Sequence, residues 1–181
     1  MTFEIKINEK LTLKMPTIDD ALEIYGVVDK DRNHLRKWLA WVDKTTSVKG
    51  IEDNITERIE KFNKKEAASF YARYEDKWIA SVGFISIDDT NKRGEIGYWL
   101  SSEFEGRGLM TECVKASIKY GFEELGLHRI LIRCSANNLK SAAIPKRLGF
   151  KLEGTAREDH IWEGSYEDTL MWSLLEGEWK E

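Results

Sequence analysis

The sequence predicts an α+β domain spanning residues 1–181, with a mixed, mostly antiparallel sheet flanked by helices. Three observations predict it. Residues 3–15 alternate apolar and polar side chains at strand period, and residues 68–100 hold three strand-like runs joined by short polar turns. Residues 109–125 carry an apolar stripe at helical spacing between two further strand-like runs.

Taken in order, Phe3, Ile5, Ile7, Leu11, Leu13 and Met15 define a first strand, which Pro16 stops. Thr17-Ile18-Asp19-Asp20 has the form of a capping box, in which hydroxyl and carboxylate satisfy free N–H groups at a helix start. The helix that follows places Ala21, Leu22, Tyr25 and Val28 on one stripe. A short second helix runs through Leu35, Trp38 and Leu39, and a third carries Ile51, Ile55, Ile59 and Phe62. Strands are expected at Ala68–Tyr74 and Trp78–Ile87 around the turn Glu75-Asp76-Lys77, and at Glu95–Leu100. The polar stretch Ser101–Gly108 leads into a long helix from Leu109 to Leu125, with Met110, Cys113, Val114, Ile118 and Phe122 on its apolar face and Gly126 as a C-cap. A buried strand at Arg129–Ser135, a helix at Leu139–Leu148 ended by Gly149, and strands at Phe150–Glu153 and Thr169–Leu175 complete the order βααα-βββ-α-β-α-ββ.

The composition bounds the function classes. An apolar fraction of 41 % and a charged fraction of 33 % suit a packed globular chain. With 28 basic and 32 acidic residues the net charge is −4, which argues against a nucleic-acid partner and suits a cationic one such as an amine. No stretch approaches ~18 consecutive apolar residues and the N-terminus lacks an apolar signal core, so no membrane span or secretion signal is expected. Cys113 and Cys134 sit at no metal-binding spacing. They are expected to be reduced thiols in a cytoplasmic protein, and no metal is expected.

The chemistry centres on Glu105-Gly106-Arg107-Gly108-Leu109-Met110-Thr111, a glycine-bearing loop between a strand and a long helix. Free N–H groups at a helix start, with the helix dipole behind them, attract anions. Glycines let backbone approach a phosphate closely, and Arg107 adds a donor. Neither a Walker loop nor a dinucleotide fingerprint is present. A tight turn with no ligand is the alternative reading of the loop taken alone.

The wider pattern resembles the GNAT acetyltransferase superfamily. Its elements are EIGYWL before the loop, the loop itself, Asn138-Leu139-Lys140-Ser141 after the next strand, and KRLGF at 146–150. The family loop reads Gln/Arg-x-x-Gly-x-Gly/Ala; Glu105 and Met110 depart from it, yet EGRGLMT is similar to the branch that acetylates N-termini of ribosomal proteins. The resemblance implies a sheet with splayed central strands and acetyl-CoA as co-substrate. It implies a diphosphate on the amides of Arg107 to Thr111 within the loop Glu105, Gly106, Arg107, Gly108, Leu109, Met110 and Thr111. It also implies a pantetheine arm along Trp99, Leu100 and Ser101, oriented by Asn138, and a homodimer.

The family's usual tyrosine acid aligns with Pro145, which has no proton to give. That shifts the role to Ser141, whose hydroxyl can donate to a departing thiolate. An early-helix hydroxyl that bonds backbone is the other reading of Ser141. For the proton of the amine, Glu95 is the first candidate, and Glu158 and His160 the second; exposed or paired charges are the plainer reading of each. An α-amine, with a reference pKa of roughly 8, needs far less help than a lysine near ~10.4. Trp38, Trp41 and Trp162 are candidates to line the acceptor cleft, or else core aromatics. His34 and His128 receive no role.

The expected reaction is transfer of an acetyl group to a primary amine by direct attack, with a protein N-terminus as acceptor by resemblance. A small amine such as a polyamine or aminoglycoside is the alternative acceptor, and a non-catalytic acyl-CoA-binding regulator the alternative class. A wide groove favours a peptide; a narrow acidic pocket favours a small amine.

Overall fold

The computed structural model describes residues 3–162 and 164–180. The expected first strand is two: β1 (Glu4–Lys6) and β2 (Leu11–Lys14) form a hairpin. Asn8 folds the chain back, its Oδ1 accepting from the N–H groups of Lys10 and Leu11, both at 2.9 Å. Both arms share one alternation, so periodicity alone runs straight through the turn.

The capping box at Thr17 is present, with Thr17 N–H and Oγ1 donating to Asp20 Oδ2 at 2.7 and 2.8 Å. Helix α1 (Ala21–Lys30) buries Ala21, Ile24 and Val28; Leu22, expected inward, is 70 % exposed because the stripe of spacing three and four passes through Ile24 instead. The expected second helix is two four-residue pieces, α2 (Arg32–Leu35) and α3 (Trp41–Lys44), with Trp38 on the turn between them. Helix α4 (Val48–Asn63) follows.

Strands β3 (Ala68–Tyr74) and β4 (Lys77–Asp88) meet at Glu75 and Asp76, whose positive φ values of 47° and 67° make a tight turn matched to the sheet twist. Strand β5 (Arg93–Leu100) leads to α5 (Leu109–Glu123), which returns the chain to β6 (Arg129–Ser135). Helix α6 (Leu139–Arg147) precedes a long hairpin, β7 (Lys151–Trp162) and β8 (Ser165–Leu175). Both strands exceed the expected Phe150–Glu153 and Thr169–Leu175. Strand β7 is the sheet's outer edge and is exposed along nearly all its length, so burial imposes no alternation on it.

The sheet order is β1-β2-β3-β4-β5-β6-β8-β7. Strands β5 and β6 pair in parallel only from Arg93↔Arg129 to Glu95↔Leu131, whereas the other described neighbours pair antiparallel. Beyond Glu95 the two strands diverge, leaving the edge of Ile96–Leu100 open towards β6. This is the expected splay.

The two faces of the sheet bury different layers. Ala68, Phe70 and Ala72 join Cys113, Val114 and Ile118 of α5, while Tyr71 and Trp78 join Ile24, Ile51 and Ile55 of α1 and α4. Helix α5 lies close to the sheet because two glycines admit the Phe84 ring. A Cβ on Gly121 or on Gly94 would meet Phe84 carbons at 2.4 or 2.6 Å. Among the described residues no helix is long and apolar enough to cross a membrane.

Candidate active site

The N-terminus of α5 opens onto a cleft of about 1460 Å³ that runs through the splay. Gly106 and Gly108 hold φ of 74° and 75°, a region costly to residues with a Cβ, and Gly108 is the N-cap. The first helical bond runs from Glu112 N–H to Gly108 C=O at 3.2 Å, so the amides of Leu109, Met110 and Thr111 precede the ladder and face the cleft. The side chains of Leu109 and Met110 are buried and anchor those amides from behind.

The expected side-chain donor is not in place. Arg107 turns away, donating to Glu103 C=O at 3.1 Å and stacking over Phe104. Cations from elsewhere take up the neighbourhood: Arg147 donates to Thr111 Oγ1 at 2.8 Å, and Lys140 pairs with Glu105. Glu105 also faces His34 Nε2 at 3.3 Å, so this carboxylate ties α2 to α6 across the cleft mouth. Sequence reasoning left out His34, Lys140 and Arg147, because each reaches the loop from a distant segment.

Trp99 and Leu100 line the cleft, whereas Ser101 does not: its N–H is taken by Ile79 C=O at 2.9 Å and its side chain is buried. Asn138 is the N-cap of α6, its Oδ1 accepting Ser141 N–H at 3.1 Å. Ser141 Oγ donates to Tyr98 Oη at 3.2 Å, and Tyr98 Oη donates to Ser141 C=O at 3.0 Å. Burial drives the Tyr98 phenol well above its ordinary range, an effect only partly offset by the Ser141 bond. Cys134 borders this couple, its thiol pushed up chiefly by burial.

Strand alternation sorts the remaining candidates. Cross-strand pairs Ser135↔Thr169 and His160↔Glu167 put these four residues on the sheet face opposite Cys134, together with Glu95 and Arg133. There Glu95 accepts from Arg133 Nε at 3.0 Å and is largely enclosed. His160 Nδ1 lies 3.3 Å from Thr169 Oγ1, and its Nε2 lies 3.7 Å from Glu167 Oε2. Glu167 in turn accepts from Ser135 Oγ at 2.6 Å. Glu167, Thr169 and Tyr98 escaped the sequence reading of roles, although alternation along β8 from Thr169 could have found Glu167.

Glu158 is not brought to this group. It sits at φ 53° in the irregular stretch of β7, exposed, its N–H bonded to Asp168 Oδ1 at 2.9 Å. Trp38 and Trp162 border the cleft on its acceptor side. Trp41 does not; it packs against Trp99 at a centroid separation of 6.1 Å and is partly buried, an arrangement of core aromatics. Among the described residues no cluster of three or more His, Cys, Asp or Glu could hold a metal ion.

A helix N-terminus that can seat a phosphate, an open strand edge beside it and titratable groups on the far face define a group-transfer enzyme. The acetyltransferase (GNAT) domain model matches residues 10–151, and the chain belongs to that family as an N-acetyltransferase. It is 32 % identical over 182 residues to YdaF of Bacillus subtilis, covering 98 % of each chain; that protein's name assigns it provisionally to ribosomal N-acetylation. It is 27 % identical over 175 residues to the ribosomal-protein-serine acetyltransferase of Escherichia coli, covering 97 % of this chain and 98 % of that one. Among solved structures, the microcin C7 self-immunity acetyltransferase MccE in complex with acetyl-CoA and AMP superposes with a TM-score of 0.89 at 28 % identity, over 94 % of this chain and 95 % of that one.

Proposed function

We propose that this chain acetylates the N-terminal α-amine of a protein, with acetyl-CoA as donor substrate; the names of its ribosomal acetyltransferase relatives support a protein acceptor. The observation that carries the reading is that the two sets of groups lie on opposite faces and meet at the splay beyond Glu95. The diphosphate rests on the amides of Leu109 to Thr111, and the pantetheine arm adds to the open edge of Ile96–Leu100. The acceptor enters from the face of Glu95, Glu167 and His160, where carboxylates attract an ammonium group.

His160 takes the proton of the incoming ammonium, with Glu167 beside its Nε2 to steady the charged ring. Glu95 is already engaged by Arg133 in an ion pair, which leaves its carboxylate less free to meet the amine. The neutral amine attacks the thioester carbonyl, the N–H groups of β5 steady the oxyanion, and Ser141 donates to the departing sulfur. A protein end fits better than a polyamine because the acceptor side opens to solvent beside Trp38, 39 % exposed, rather than closing into a pocket.

Release of free thiol from acetyl-CoA tests this with three acceptors: a peptide with a free α-amine, the same peptide N-blocked but bearing lysine, and spermidine. The free peptide is expected to turn over fastest. Preference for spermidine would transfer the assignment to small amines, and no release with any amine would overturn the catalytic reading.

A further inference from the structure

We propose that Tyr98 is a positioning residue for the transfer, fixing from β5 the conformation in which Ser141 of α6 meets the departing sulfur; this rests on the acetyl-transfer reading above. Three bonds to Asn138 and Tyr98 hold Ser141, and the Cys134 thiol also bonds its side chain. Asn138 accepts its N–H at 3.1 Å, Tyr98 Oη donates to its C=O at 3.0 Å, and its Oγ donates to the same phenol at 3.2 Å. Two of the three end on one hydroxyl, and that hydroxyl comes from the strand across the splay.

The chemistry separates positioning from net proton donation. Burial keeps Tyr98 a protonated phenol, so it is no source of the proton that ends on sulfur. A serine hydroxyl is a weaker acid than a thiol and cannot end as an alkoxide. The remaining source is the attacking nitrogen. Its lone pair forms the N–C bond and the carbonyl becomes an oxyanion. As the carbonyl re-forms, the C–S bond breaks and its electron pair leaves with sulfur. Ser141 Oγ passes its proton to sulfur while taking the N–H proton of the intermediate. The products are an amide and a free thiol, and Ser141 is restored. Tyr98 exchanges no proton; its O–H turns from Ser141 C=O towards Oγ as the serine proton swings to sulfur.

A double-mutant cycle tests this. Tyr98→Phe should lower kcat roughly 10-fold, the worth of about one hydrogen bond, while KM for acetyl-CoA stays within about twofold. Ser141→Ala should lower kcat further, and adding Tyr98→Phe to it should change kcat no more. An undiminished effect of Tyr98→Phe in the Ser141→Ala background would show that Tyr98 acts elsewhere and overturn the proposal. Wild-type kcat in Tyr98→Phe with a reduced rate in Ser141→Ala would remove Tyr98 alone. Wild-type kcat in Ser141→Ala would remove both Ser141 and Tyr98 while leaving acetyl transfer standing, and absence of thiol release by the wild type would remove all three. If Tyr98→Phe does not fold, 3-fluorotyrosine at position 98, a stronger hydrogen-bond donor and poorer acceptor of nearly the same shape, must change kcat in the otherwise wild-type enzyme and not in Ser141→Ala; an unchanged rate in the first would overturn the proposal.

Discussion

The two faces of the splayed sheet are built on different principles. On the proposed donor face the groups assigned to recognition are backbone amides at one helix start, held by glycines at positive φ and by the buried side chains of Leu109 and Met110. On the proposed acceptor face they are side chains of four strands, Glu95 paired with Arg133 and His160 set beside Glu167. A backbone site accepts one chemical shape and tolerates little change in the chain that forms it. A side-chain site can be retuned by single substitutions without disturbing the sheet, so acceptor choice can vary on a constant donor frame.

That contrast is open to test, beginning with the largest effect. His160→Ala should lower kcat at pH 7 by about 100-fold, the lower range for general acid–base catalysis, with KM for acetyl-CoA unchanged. The deficit should shrink as the pH rises through ~8, where an α-amine sheds its proton unaided. A deficit independent of pH would point to a packing role for His160. Gly108→Val should act on the other face, raising KM for acetyl-CoA about 10-fold with a smaller change in kcat, because a β-branched residue is strained at φ > 0 and its Cβ enters the space a phosphate would use. An unchanged KM would separate the loop from the donor.

Gly121→Ala probes the frame behind the loop. The new methyl meets Phe84 at 2.4 Å, and thermal unfolding should show a loss of roughly 2 kcal/mol, within the usual range for overpacking. A neutral result would mean that α5 shifts freely on the sheet. The smallest effect is expected for Glu105→Gln. Removing a carboxylate beside the phosphate site while freeing Lys140 should lower KM for acetyl-CoA about two- to threefold, and added salt should erase the gain.

The same contrast explains what the sequence could convey. The long apolar stripe of α5, the glycines at 106 and 108 and the buried runs of β3 to β6 are local signals, and they place the start of α5 and the strands beside it closely. The hairpin of β7 and β8 was legible only at its base, where Thr169–Leu175 of β8 is largely buried, since an exposed edge strand carries no period. The partnership of Tyr98 with Ser141 spans 43 positions, and that of His34 with Glu105 joins a short helix to the loop; no local pattern encodes either. Arg107 was readable as a residue but not as a direction, because Phe104 and the Glu103 carbonyl capture its guanidinium. Glu158 and His160 looked alike in sequence, and only the irregular register after Ala156 turns one towards Glu167 and leaves the other in solvent.

The account turns on the two faces meeting at one point, and a crystal structure with CoA bound tests that most directly. The diphosphate should accept hydrogen bonds from the amides of Leu109 to Thr111, and the thiol should lie in the gap beyond Glu95 within ~3.5 Å of Ser141 Oγ, reachable from the His160 side. A diphosphate seated away from the α5 N-terminus, or a thiol closed off from the acceptor face, would contradict it.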